Sequence, residues 1–242
     1  QRTQDIYNAD VLNDILAHTV ITRTFEEITG KDIKHIHQVP VRFSEPEKEV
    51  YQKAISEFHA MRGNYFASTG NSRKDSMMRL IQQITLLLRI SAAPNTVKEY
   101  TGGMPVKIAK VMEMLQEMPD QIIAIGVRHK KVVDAYSAAI RKLMPERPLF
   151  VVTGDTTTLA QRRKLRKTLK ASGNGILLCT QQRLPSSVNF EFVNKVIIPE
   201  LHYNNSRMSQ FYMRFVRYTS REDKDIYFVT YLGSIESNQM QM

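Results

Sequence analysis

Cysteine occurs once in the 242 residues, and no apolar run reaches the roughly eighteen residues that a membrane-spanning helix needs. The single Cys179 lies in the apolar run GILLCT. It excludes an internal disulfide and reads as a small buried thiol. The first residues, QRTQDIYNAD, carry neither an initiator Met nor an apolar signal core, so the expectation is an excised piece of an intracellular protein. A phosphate-binding G-x-x-x-x-G-K-[ST] loop is missing too. Its nearest approach, Thr29-Gly30-Lys31-Asp32, lacks both the upstream glycine and the hydroxyl. No acidic pair follows an apolar strand to hold magnesium. The chain is therefore not expected to bind and hydrolyse a nucleotide unaided. His35 and His37 share a strand face but have no third ligand, so no metal site is expected. Cys179 is far from any His, which leaves cysteine–histidine and serine–histidine–aspartate chemistry without support. Internal repeats and low-complexity tracts are absent.

Hydrophobic content of 42% and charged content of 24% are those of a soluble globular protein. Net charge is +10 and unevenly spread. Residues 1–100 hold 13 Lys/Arg against 12 Asp/Glu, residues 101–242 hold 21 against 12, and Arg128 to Arg183 alone hold 13 against 3. Positive charge gathered in one segment is the footprint of a phosphate-backbone partner; an anionic membrane surface or solubility alone are the alternatives.

The second half alternates helices with short apolar strands. The pattern predicts helix 105–118, strand 121–127, helix 129–144, strand 148–152, helix 157–171, strands 175–180 and 194–199, an Arg-rich helix, and strand 225–232. Such alternation implies a mainly parallel sheet with helices on both faces, with ligands collecting at the loops after the strands. Those loops carry Arg128 to Lys131, Thr153 to Thr156 and Thr180 to Arg183. In the first half, helices are expected at 5–17 and 25–29 and a strand at 37–43. Ser44 and Glu47 form a capping box that opens a helix to about Tyr65. Residues 67–76 have loop composition, a second helix runs from Met77 to about Ala93, and Thr101-Gly102-Gly103 is a plausible hinge.

Arg207 to Arg221 (RMSQFYMRFVRYTSR) is the most informative stretch. Met208, Phe211, Tyr212, Phe215 and Val216 recur at the spacing of a buried helix face, while Arg207, Gln210, Arg214, Arg217 and Arg221 line another. Planar, permanently charged guanidinium groups in fixed positions suit phosphate oxygens. A merely solvated basic face is the bland alternative. Helix 157–171 packs six Lys/Arg between Arg162 and Lys170 and allows the same two interpretations.

Taken in order, these segments resemble the C-terminal RecA-like lobe of superfamily 2 helicases, and most closely the Swi/Snf family of DNA-dependent ATPases. ILAHTVITRTFEEI (15–28) is similar to the family's "RRTKEEV" opening, SEPEKEVY (44–51) to the segment before its Tyr-containing helix, and LLLR (86–89) with Pro94 to its "LRQ…HP" helix. Pro105-Val106-Lys107 parallels "SGK", and Ile122 to Val127 motif IV. Gly154-Asp155-Thr156 with Arg162 resembles "GST…R". Ile176 to Thr180, continuing to Asn189, resembles motif V. Tyr203-Asn204 with Gln210, Arg214 and Arg217 matches the "WNP…Q…R..R" of motif VI, and Gly233 to Glu236 the closing "GTIE". Departures mark a divergent member. Thr22 and Phe25 replace the family's Arg and Lys, Leu184-Pro185-Ser186-Ser187 replace glycines of motif V, and Tyr218-Thr219 replace the "GQ" after motif VI.

The resemblance implies a lead-in at 1–43 joining two lobes, a helical protrusion at 44–103 and a RecA-like lobe at 104–242. It implies Arg217 as arginine finger, Arg214 as its companion on the phosphates, Gln210 as a positioning residue, and a nucleotide contact at Asn189. Arg128, Lys130, Thr153, Gly154, Thr180 and Arg183 fall where such lobes track a nucleic-acid backbone, with Arg207 and Arg221 left as surface charge. The implied cofactor is ATP with magnesium, held mainly by an N-terminal lobe that this sequence lacks. The implied partners are that lobe and double-stranded DNA. A degenerate, non-catalytic binding module and an RNA helicase lobe are the competing interpretations.

Overall fold

The computed structural model describes residues 10–11, 14–15, 26–27, 30–154, 158–182, 184, 189–202, 205–217 and 220–240. The expected helices at 5–17 and 25–29 therefore lie mostly outside the described residues. So do Asp155-Thr156, Arg183, Pro185 to Val188, Tyr203-Asn204 and Tyr218-Thr219.

Lys34–Met242 forms one compact unit built on a six-stranded, wholly parallel sheet. Its strands are β1 (Lys34–Val41), β2 (Ile123–Val127), β3 (Leu149–Val152), β4 (Ile176–Thr180), β5 (Lys195–Ile198) and β6 (Lys224–Tyr231), in the order β1-β6-β5-β2-β4-β3. The central strands β2 and β4 are buried along their whole length, which is why they read as unbroken apolar runs. At the edge, β1 pairs with β6 from Lys34↔Lys224 to Val41↔Tyr231.

Helices α1 (Glu45–Ala67) and α2 (Gly70–Ala92) form a hairpin, and α3 (Val106–Glu117) and α4 (Lys130–Leu143) follow. Then come α5 (Leu159–Ser172), α6 (Asn205–Tyr212) and α7 (Ile235–Met240). One core joins α3 and α4 to the sheet through Ile108, Leu115, Val133, Tyr136, Ile125 and Leu178. The other face packs Leu169 of α5 and Met208 and Phe211 of α6 against Ala124, Leu177, Cys179 and Phe228. Helices thus cover both faces, as the alternation implied. No helix of the described residues is long and apolar enough to cross a membrane.

Two expectations are corrected. Residues 70–76, expected in a loop, form the first turns of α2, leaving only Ser68 and Thr69 between the helices. These turns are exposed, so no apolar periodicity marks them. They are held by the Arg73 guanidinium over the Tyr65 ring at 4.9 Å and by Ser68 Oγ against Ser76 Oγ at 3.1 Å. The Arg-rich helix is also much shorter than its periodicity predicts. α6 ends at Tyr212, where Arg214 N–H donates to Phe211 O (3.1 Å) and Phe215 N–H to Tyr212 O (3.0 Å), both i to i−3. Phe211 to Thr219 is dominated by aromatic and β-branched residues of modest helix propensity. The tightened turn still carries Phe215 and Val216 into the core, with Phe215 edge-on to Phe211 at 5.5 Å. The apolar spacing therefore survives although the helix does not.

Candidate functional site

Because every strand runs the same way, the loops after β2, β3, β4 and β5 share one edge of the sheet. That edge is organised by Glu200, which is fully buried. Its Oε2 accepts from the backbone N–H of Arg128 (2.6 Å) and of His129 (3.2 Å), and Oε1 meets His129 Nδ1. These bonds to the two residues before α4 fix the path of the chain leaving β2 and set a carboxylate at the positive end of that helix. Beside it Gln181, only 3% exposed, donates from Nε2 to Gly126 O (3.1 Å) and Glu200 O (2.6 Å), bracing the ends of β2 and β5.

Against this frame stand the arginines. Gln181, Gln182, His202, Arg207, Gln210, Phe211 and Arg214 line a cavity of about 250 Å³, and Gln210, Met213, Arg214 and Arg217 line a second of about 390 Å³. Arg214 and Gln210 are common to both. Burial pushes the Arg214 guanidinium below its ordinary pKa, and the neighbouring Arg217 charge pushes the same way. Burial likewise lowers Arg128, with Arg207 adding to the effect and Glu200 opposing it. Arg207, expected to be ordinary surface charge, therefore belongs to this group.

Several buried polar atoms here have no hydrogen-bond partner among the described residues: Thr180 Oγ1, Gln181 Oε1, Arg214 Nε, and Arg128 Nε and Nη1. Buried polar atoms are ordinarily paired with protein or ordered water, so this cluster makes the edge a polar surface able to bind water or a polar ligand. Forked donors flanked by amide and hydroxyl groups fit a polyphosphate or phosphate-backbone ligand.

The other expected residues are placed as follows. Lys130 opens α4 and is exposed; Thr153, buried, and Gly154 follow β3 at the same edge. Arg183 lies outside the described residues. Asn189 is not brought to either cavity. Its Nδ2 donates to Glu191 Oε2 (3.1 Å) and its Oδ1 accepts from Glu191 N–H (2.9 Å), while its carbonyl takes the Arg166 Nε–H. The expected nucleotide contact there has no geometric counterpart in these interactions. Cys179 is fully buried in β4 and its thiol is pushed up to about 12, as expected of an inert core residue.

Glu200 and His202 escaped the sequence reading, and Gln181 entered it only as part of the loop Thr180 to Arg183. Their only local signal is polarity directly after an apolar strand. The position of α6 depends on Gly126, where an added Cβ would lie 2.3 Å from the Phe211 ring. Gly126→Ala is expected to cost about 1–3 kcal/mol by overpacking and to lift α6 off the sheet. Urea denaturation checks it, with Gly126→Ala/Phe211→Ala costing less than the sum of the two single changes.

The sheet order, the helices on both faces and the edge described above define a RecA-like α/β lobe. Among solved structures, the chain is similar to the C-terminal part of the Fun30 ATPase domain, at 14% identity and a TM-score of 0.65 over 86% of this chain and 88% of that one. It is similar also to the Sulfolobus solfataricus SWI2/SNF2 ATPase C-terminal domain (17% identity, TM-score 0.65, 86% of this chain and 84% of that one). The Sulfolobus solfataricus SWI2/SNF2 ATPase core in complex with dsDNA matches at 18% identity and a TM-score of 0.69, over 96% of this chain and 49% of that one. No protein-family model and no curated protein matches the chain. At these identities the likeness is one of fold.

Proposed function

We propose that this chain is the C-terminal motor lobe of an ATP-dependent, Swi/Snf-like translocase of double-stranded DNA. The observation that carries this reading is the convergence of Arg207, Gln210, Arg214 and Arg217 on two adjoining cavities. The Arg214 Nε there is buried and unpartnered among the described residues. Likeness to the C-terminal part of one ATPase domain, and to about half of an ATPase core solved in complex with dsDNA, supports the same assignment.

In this reading an N-terminal lobe holds ATP with magnesium, which when bound supplies the phosphoryl group to be transferred. The part of this chain is electrostatic. Arg217 and Arg214 neutralise charge on phosphate oxygens across the cleft, Gln210 orients, and Glu200 and Gln181 keep the loops beneath them fixed. Arg128, Lys130, Thr153, Gly154 and Thr180 lie along the edge where one DNA strand would be followed through its phosphates.

The test compares this chain alone with the longer polypeptide that carries the lobe preceding it. Alone it is expected to bind duplex DNA weakly, with steep salt dependence, and to turn over no ATP. The longer polypeptide is expected to hydrolyse ATP when duplex is added. A preceding segment without a phosphate-binding loop would remove the motor assignment and leave a non-catalytic binding module. Preference for single-stranded RNA over duplex DNA would turn the reading to an RNA helicase lobe.

A further inference from the structure

Helix α5 carries Arg162, Arg163, Lys164, Arg166, Lys167 and Lys170 and no acidic residue. Leu165 and Leu169 anchor it to the sheet, and Arg163, Lys164, Lys167 and Lys170 are exposed. Both ends are fixed: Thr158 and Gln161 form a capping box, and Gly173 closes the helix in the left-handed conformation at φ 71°. The flank is also tied down, since Arg166 donates to Asn189 O and lies 5.5 Å over the Phe192 ring, with Lys170 at 5.9 Å from it.

Two helical lysines elsewhere are partly neutralised within their own helix, Lys48 by Glu45 at 3.8 Å and Lys110 by Glu113 at 2.8 Å. On α5, Arg163, Lys164 and Lys167 have no such ion pair among the described residues. Like charges one turn apart on a helix repel, so the arrangement costs stability unless an anion covers it.

The geometry points to a second nucleic-acid surface on the outer face of α5, one that takes the phosphate backbone of duplex DNA outside the cleft. It rests on the DNA-binding reading of the lobe and extends it. The partner class follows from what shares the face. Ala160, Gln161 and Thr168 accompany the cations, so among the described residues no large apolar side chain is exposed on this face for a membrane or a protein interface. Phe192 is covered by Arg166 and Lys170 and presents no open platform for stacking single-stranded bases. A fixed row of charges without base-reading or stacking groups suits a regular backbone. Arg163 to Lys170 spans about 10 Å at helical rise, or roughly three base-pair steps.

The experiment measures binding of this chain to a fluorescent duplex of about 20 base pairs across a range of potassium chloride concentrations. The triple variant Arg163→Gln/Lys164→Gln/Lys167→Gln is expected to flatten the slope of log affinity against log salt by about 2 to 3. Near 0.1 M salt its affinity should fall by roughly two orders of magnitude. Its melting temperature should not fall and should rise slightly, because the replaced side chains are exposed and their mutual repulsion is relieved. Loss should be equal for unrelated duplex sequences. An unchanged slope in the triple variant overturns the proposal. If Arg128→Ala still weakens binding in that case, the cleft reading survives and only the α5 surface is rejected. No salt-sensitive duplex binding by the unaltered chain rejects both. Binding to anionic phosphatidylserine vesicles that the triple variant abolishes, with its duplex slope unchanged, identifies a membrane partner and also overturns it.

Discussion

Arg217→Ala in the two-lobed polypeptide is expected to lower duplex-stimulated ATP turnover by about 10³- to 10⁵-fold while ATP still binds. Arg217 follows the tightened turn after α6 and shares its cavity with Gln210, Met213 and Arg214. In the proposed role a guanidinium there would stabilise charge that develops on the transferred phosphoryl group, so its loss should fall on turnover and leave nucleotide affinity nearly intact. Arg217→Lys keeps the charge and loses the planar fork, and a partial recovery is expected. Arg214→Ala should cost as much, and the double variant little more than either, since the two are proposed to act on one group of oxygens. Arg221→Ala, at an exposed position, is the matched control. Steady-state hydrolysis with saturating duplex, paired with equilibrium binding of a fluorescent ATP analogue, separates turnover from binding. Ordinary turnover in Arg217→Ala would sink the motor assignment.

The second large effect is expected at Lys107. Its side chain is fully buried and its Nζ donates to both Glu236 oxygens, at 2.8 and 2.6 Å, and to Pro199 O at 3.0 Å. The Tyr231 ring lies 4.8 Å from the same ammonium. Burial pulls the Lys107 pKa down and pushes that of Glu236 up, and each partner's charge opposes the shift of the other. The cluster continues outward. Lys107 N–H donates to Tyr231 Oη (3.2 Å), and Tyr231 Oη donates to Glu47 Oε1 (2.7 Å). Glu47 also accepts from Val106 N–H (2.7 Å) and from the Ser44 N–H (2.6 Å) and hydroxyl (2.8 Å). One buried network therefore ties the base of the α1–α2 hairpin, the start of α3 and the C-terminal turn to the end of β5, next to Glu200.

Lys107→Met removes the charge that opposes the upward shift of Glu236, leaves that carboxyl without its ion-pair partner in the interior and is expected to cost about 3–5 kcal/mol. Lys107→Met/Glu236→Met should recover part of the loss, because both buried charges go together while Tyr231 N–H and Pro199 O lose their side-chain partners. Urea unfolding of the two single variants and the double variant completes the cycle. Equal additive losses would show that the pair acts only through packing. Because Pro199 precedes Glu200, the single variant should also weaken duplex binding through the Arg128 and Gln181 loops.

The order of strands and helices was legible in the sequence because it rests on local periodicity. Ile123 to Val127 and Ile176 to Thr180 are apolar throughout, as strands covered on both faces must be. Ser44 and Glu47 announced the start of α1, although Glu47 turned out also to accept from Val106 and Tyr231, far along the chain. The apolar spacing of Met208, Phe211 and Phe215 correctly marked buried residues. It overstated the helix because periodicity records which side chains face inward, and a tightened turn can deliver the same ones.

What the sequence determined by itself was therefore the alternating pattern, the segregation of positive charge into the second half, and the arginine spacing. Tertiary structure alone decided the company those arginines keep. Glu47 and Tyr231 are 184 residues apart, Lys107 and Glu236 are 129 apart, and Arg128 and Glu200 are 72 apart. A short carboxylate after an apolar strand looks the same in sequence whether it faces water or caps a helix. Gly126 looks like any strand glycine until Phe211 is laid against it. Burial converts such residues from surface polarity into positioning groups, and burial is a property of the folded sheet rather than of any local run of residues.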